Sequence, residues 1–184
     1  MDKISRLMQN VKLIALDVDG TLTDGTLLYG DNDVQAKAFH VADGLGIVMA
    51  QAVGLKIAVI SGQSSRAVER RMTELKVTDL VQNCGDKAAA LQALLAKYEL
   101  RPEEIAYVGD DINDLPAFSS VGVKIAVANA EGALKAQADW ITPRSGGQGA
   151  VRDAIDEILR RQGRLDQAVR AYLKAVKPAE AARQ

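Results

Sequence analysis

A chain of 184 residues suffices for one well-buried domain and is short for two. It is 48% apolar and 26% charged with a formal net charge of −1, which fits a soluble globular fold and leaves no global field to draw nucleic acid or an anionic membrane surface. No apolar run approaches membrane-spanning length, the opening MDKISRLMQN has no hydrophobic signal core, and there is one cysteine, Cys84; the expected location is cytoplasmic.

In chain order, Val11 to Val18 is aliphatic and too short for an independent helix, so it predicts a buried parallel strand ending at Asp17-Val18-Asp19-Gly20-Thr21. Residues 25–39 form two short apolar pieces about Gly30-Asp31-Asn32-Asp33 and predict a β-hairpin insertion. Asp43 is placed to cap a helix running to about Val53, followed by a strand over Lys56 to Ile60 that ends at Ser61-Gly62. A helix over Ser64 to Leu75 and a short strand near Leu80 precede Cys84-Gly85-Asp86-Lys87, which opens a helix carrying Leu91, Leu94 and Leu95. Pro102 starts a turn; Ile105 to Val108 is a strand ending in Gly109-Asp110-Asp111; Asn113 to Phe118 begins a helix. Strands at Val123 to Val127 and Trp140 to Thr142 follow. A glycine-rich hinge, Ser145 to Gly149, then leads into helices over Ala150 to Arg161 and Arg164 to Val176 and a polar tail, so that residues 145–184 form a C-terminal segment of one domain spanning 1–184. Alternating strands and helices with short links predict an α/β fold, a doubly wound, mainly parallel, Rossmann-like sheet.

Ligands of such sheets bind outside the carboxyl ends of the strands, where the polar punctuation falls: Asp17/Asp19, Ser61, Lys87 and Asp110/Asp111. Side chains alternate along a strand, so Asp17 and Asp19 project together. Neighbouring carboxylates persist when a hard cation such as Mg²⁺ lies between them or one holds a proton. Phosphoryl transfer needs an in-line nucleophile, charge neutralisation and a proton donor. Here Asp17 is the candidate nucleophile, Asp19 the acid/base, Ser61 and Lys87 the holders of phosphoryl oxygens, and Asp110 the residue completing the metal shell. Asp111 and Asp114 read equally well as helix caps or as residues behind the metal. Cys84 reads as a core thiol, His40 as surface or substrate-side packing, and Tyr29, Phe39 and Leu27-Leu28 as packing against another subunit.

The ordered set D-V-D-G-T, S-G, K and G-D-D-I-N-D resembles the haloacid dehalogenase superfamily of aspartate-nucleophile phosphatases. The hairpin, A-F-H-V-A-D-G and G-G-Q-G-A-V-R-D resemble its small capless branch, typified by the 3-deoxy-D-manno-octulosonate 8-phosphate phosphatases, over nearly the whole chain. The resemblance implies an aspartyl-phosphate on Asp17, acid/base action by Asp19, and Mg²⁺ held by Asp17, the Asp19 backbone carbonyl and Asp110. It also implies a homotetramer packed through the hairpins, no cap domain, and a phosphorylated sugar substrate from lipopolysaccharide synthesis. Gly62, Gln63, Arg71, His40, Asp43 and Gly44 fall on the substrate side. Three arginines usual in that branch stand here as Ala42, Gln63 and Gln148, which predicts weaker selectivity for a carboxylate sugar. A different sugar phosphate, such as an acylneuraminate 9-phosphate, is the alternative substrate. A phospho-accepting signalling receiver is the rival with similar residues, but its acceptor aspartate would follow the third strand. A non-catalytic assembly module is disfavoured by the intact acidic set.

Overall fold

A computed structural model describes residues 2–31 and 35–181. Helix α1 (Lys3–Met8), capped by the Asp2 side chain, leads into β1 (Leu13–Leu16). An antiparallel ribbon of β2 (Leu28–Tyr29) and β3 (Gln35–Ala36) follows; of the predicted turn between them, Asn32 and Asp33 lie outside the described residues. The chain continues through α2 (Val41–Ala52), β4 (Lys56–Ile60), α3 (Arg66–Glu74), β5 (Asp79–Val81), α4 (Lys87–Tyr98), β6 (Ile105–Gly109) and α5 (Leu115–Phe118). It closes with β7 (Val123–Ala126), α6 (Gly132–Lys135), β8 (Trp140–Ile141), α7 (Ala150–Arg161) and α8 (Leu165–Ala181). The predicted polar tail is thus helical to Ala181.

Six strands pair in the order β5-β4-β1-β6-β7-β8, every pairing parallel. Strands β1 and β6 are buried along their whole length, as expected of a sheet covered on both faces. From β1 the chain first builds outward through β4 and β5, then returns to the other side of β1 for β6, β7 and β8. The direction of winding therefore reverses between β1 and β6, and a crevice opens at their carboxyl ends. Both acidic motifs end on that crevice. Among the described residues, the insertion after β1 is the two-residue ribbon rather than a cap domain.

Helix α7 buries Val151, Ala154, Ile155, Ile158 and Leu159 at three- and four-residue spacing, mainly against α2. It is part of the core. The segment before it is not a free hinge. Gly146 N donates to Asn129 Oδ1 at 2.8 Å and Gly147 N to the Thr21 carbonyl at 3.2 Å. A Cβ on Gly146 would collide with the Gly20 carbonyl. These glycines permit close backbone approach to the D-x-D-G-T loop, whereas their composition alone predicts a hinge.

The capping expectation for Asp43 also changes. Helix α2 begins at Val41 with His40 as its cap, Nδ1 accepting from Ala42 N at 3.2 Å. Asp43 lies inside the first turn, and its Oδ1 accepts from Arg152 N at 2.8 Å. It thereby caps α7, whose own cap position, Gly149, has no side chain to offer.

Candidate active site

The D-x-D-G-T loop wraps on one oxygen: Thr21, Leu22 and Thr23 N–H all converge on the Val18 carbonyl, at 3.2, 2.9 and 3.0 Å. Asp17 N still pairs with the Val108 carbonyl at 3.0 Å, so its side chain leaves from the sheet itself with a fixed direction. Gly20 has φ +93°, and a Cβ there would collide with the Asp110 carboxylate. The glycine between the two motifs is required by conformation and by space.

Lys87, the first residue of α4, reaches back between the strand tips. Its Nζ donates to Asp17 Oδ1 and Asp114 Oδ1, each at 2.6 Å, and its side chain is 4% exposed. Asp86 caps the helix by accepting from Ala89 N at 3.0 Å, which fixes where Lys87 emerges. Ser61 ends the adjacent strand; its Oγ accepts from Gln63 N at 3.2 Å and its carbonyl from Cys84 N at 3.0 Å. Among the described residues the hydroxyl proton has no acceptor, so it can serve a ligand oxygen.

Asp114 is fully buried and surrounded by donors. Oδ1 accepts from Lys87 and, at 2.7 Å, from Tyr107 OH; Oδ2 accepts from Asp110 N at 2.9 Å and Asp111 N at 3.4 Å. It thereby tethers Lys87 and the Asp110 backbone. Asp111 is the local cap, accepting from Ile112 N at 2.6 Å. Both therefore take part in capping this turn, and Asp114 in addition holds Lys87 and the Asp110 backbone.

Carboxylate oxygens of Asp17, Asp110 and Asp114 lie within 4.8 Å of one another. Burial pushes the Asp17 carboxyl up to about 8, with the Asp114 charge adding to it and Lys87 opposing it. Burial likewise pushes Asp110 up to about 7, with Asp114 and Asp111 adding. Burial works against the Lys87 ammonium, but the charges of Asp17 and Asp114 outweigh it and raise its pKa overall. Three clustered acids facing one lysine are short of positive charge, and hard oxygen donors at this spacing fit Mg²⁺. The acidic pair that faces inward is Asp17/Asp110. The Asp19 carboxylate is a separate group, 25% exposed and ion-paired with Lys37.

The substrate-side candidates do not gather equally. Gly62 and exposed Gln63 follow Ser61 at the rim. Arg71 lies over Gly44, where a Cβ would collide with its guanidinium, and pairs with Glu74 at 3.5 Å. His40 and Asp43 act as helix caps. Lys37 and Tyr107 were not singled out from the sequence. Tyr107 carried a weak signal as a hydroxyl in a buried strand before an acidic motif; Lys37, in the hairpin segment, carried none.

An open parallel sheet with acidic strand tips and a buried lysine at its winding reversal is the layout of a metal-assisted phosphoryl-transfer hydrolase. A family profile for haloacid dehalogenase-like hydrolases matches residues 73–155. The 3-deoxy-D-manno-octulosonate 8-phosphate phosphatase KdsC of Escherichia coli strain K12 is 43% identical over 160 residues, covering 87% of this chain and 85% of the relative. The solved structure of the Moraxella catarrhalis phosphatase of that name, in complex with magnesium, phosphate and KDO, superposes with a TM-score of 0.89 at 38% identity, covering 94% of this chain and 99% of that one. The Yersinia pestis phosphatase superposes at 0.88, also 38% identical, over 90% and 89%. The chain belongs to the haloacid dehalogenase-like hydrolases, in the family of the 3-deoxy-D-manno-octulosonate 8-phosphate phosphatases.

Proposed function

We propose that the protein is a cytoplasmic, Mg²⁺-dependent phosphatase that hydrolyses 3-deoxy-D-manno-octulosonate 8-phosphate through an aspartyl-phosphate on Asp17. The observation carrying this is the Asp17–Lys87–Asp114 chain beside Asp110 at the reversal of winding. Bound Mg²⁺ would be held by Asp17, Asp110 and the Asp19 carbonyl and would neutralise charge on the phosphoryl oxygens. Asp17 is directed by its backbone bond to Val108, and Lys87 occupies Oδ1, leaving Oδ2 to attack phosphorus as the bond to the sugar oxygen breaks. Ser61 donates to an equatorial oxygen. Asp19, from its half-buried position and entering the cycle protonated, gives that proton to the leaving sugar oxygen and later recovers one from the water that hydrolyses the acyl-phosphate.

The substrate assignment rests on the likeness to octulosonate 8-phosphate phosphatases and on the acidic set at the strand tips. Exposed Gln63 offers no cation at the rim, so a different sugar phosphate, such as an acylneuraminate 9-phosphate, is the competing substrate. Leu27, Leu28 and Tyr29 on the ribbon are 43%, 53% and 71% exposed, and their burial in a homotetramer would cover the otherwise open crevice. The test is a Mg²⁺-dependent release of phosphate from both acidic sugar phosphates by wild type and Asp17→Asn, with sedimentation of the active species. Substantial turnover by a folded Asp17→Asn removes Asp17 as the nucleophile; preference for the acylneuraminate overturns the substrate; an active monomer overturns the tetramer.

A further inference from the structure

Lys37 leaves the ribbon one residue after β3 and places its ammonium on Asp19 Oδ1. Its side chain is 2% exposed, against 25% for its partner. A lysine sequestered this far gives up the hydration of its charge, a loss that an apolar side chain at the same place would not incur. The other cations of this end of the sheet are held elsewhere: Lys87 by Asp17 and Asp114, Arg71 by Glu74, Arg144 by Asp153 and Arg152 by Asp156. Among the described residues, no second cation pairs with Asp19.

We propose that Lys37 is a positioning residue for the acid/base Asp19. By occupying Oδ1 it fixes the carboxyl rotamer and leaves Oδ2 as the oxygen that exchanges a proton with the leaving group and with water. The proposal rests on the role given to Asp19 above. It has a structural corollary: the ribbon bearing Leu27, Leu28 and Tyr29 is joined to Asp19 through one side chain, so where the ribbon sits decides where the ammonium sits. Whatever seats the ribbon, a second copy of the chain included, also orients the proton-transferring group.

A double-mutant cycle tests this, run on the full-length protein with the octulosonate 8-phosphate and with 4-nitrophenyl phosphate, whose leaving group needs little protonation. Lys37→Met is expected to lower kcat on the sugar phosphate by about ten- to a hundredfold, to lower it less on the aryl phosphate, and to leave KM nearly unchanged. Lys37→Arg, which keeps the cation, should recover most of the loss. In the Asp19→Asn background Lys37→Met should have no further effect. Equal loss in both backgrounds, or loss confined to KM, overturns the proposal, because Lys37 would then hold the substrate or the fold. Should Lys37→Met fail to fold, the same cycle with Lys37→Gln gives the same two outcomes. Undiminished kcat on the sugar phosphate for Asp19→Asn alone would instead overturn the acid/base role itself.

Discussion

Replacing Asp114 by asparagine exchanges one oxygen for an NH₂ group in a place where every neighbour is a donor. Kept in the orientation that serves Lys87 and Tyr107 with its oxygen, the amide turns NH₂ toward Asp110 N and Asp111 N, two donors that then have no acceptor. Flipped, it opposes Lys87 and the tyrosine hydroxyl instead. An unsatisfied buried group costs about 1–3 kcal/mol, and the neutral amide also loses its charge attraction to Lys87. One term opposes this: Asp114 is the second-largest cause raising the carboxyls of Asp17 and Asp110, and removing its charge relieves that repulsion. With Mg²⁺ bound the repulsion is already neutralised, so Asp114→Asn should destabilise by about 2–4 kcal/mol in Mg²⁺ and by less in EDTA. Mg²⁺ affinity or kcat should fall about ten- to a hundredfold as Asp110 and Lys87 lose their aim. Urea unfolding in Mg²⁺ and in EDTA, with an activity titration against Mg²⁺, measures both quantities. A loss of only about 1 kcal/mol, equal in both buffers and with unaltered Mg²⁺ dependence, would mean that Asp114 merely caps its helix.

In the metal-free chain Asp17 and Asp110 sit at about 8 and about 7, above their ordinary 3.8, so the folded state binds more protons than the unfolded one across about pH 4 to 8. Their contribution to stability is full below about pH 4 and is lost as pH rises through 7 and 8; Asp2 and Glu104, lowered to about 2, titrate below this window. The rise in Tm on adding Mg²⁺ should therefore be larger at about pH 8 than at about pH 5.5, and equal rises would contradict the assigned burial. Gly146→Ala forces its new methyl against the Gly20 carbonyl, next to Asp110. A displacement of about 1 Å there should cost about a hundredfold in kcat with the far-UV circular dichroism retained, and an unaltered kcat would show that the loop yields elsewhere. Gln63→Arg adds a bidentate donor at the rim and should raise kcat/KM for the octulosonate phosphate by about tenfold relative to a neutral sugar phosphate. An unchanged ratio would place the carboxylate away from Gln63.

What the sequence determined by itself is what local pattern and strand period control. The aliphatic runs at Leu13–Leu16, Lys56–Ile60 and Ile105–Gly109 are strands, and Asp17, Ser61 and Asp110 lie at or just past their ends, because a buried strand must be apolar and its exit is where polar groups can meet a ligand. The helix over Ala150–Arg161 was legible from the glycine-rich stretch that precedes it. Only the tertiary structure decided which groups meet. Strand alternation places Asp17 with Asp19, but it cannot name their partners: Asp17, still bonded to the sheet at Val108, gathers with Lys87, Asp110 and Asp114, and Asp19 meets Lys37. Asp43 resembled a local cap and instead satisfies a helix 109 residues further on. The glycines at 146 and 147 have the composition of a hinge, but a backbone packed against another backbone needs the same residue, and composition cannot separate the two. Asp114 could be split from Asp111 only by burial, since both stand at helix starts and only one is enclosed by donors from three segments. Partnerships across 18, 27 and 109 residues depend on how strands and helices are arranged in space, and no period within a single element records them.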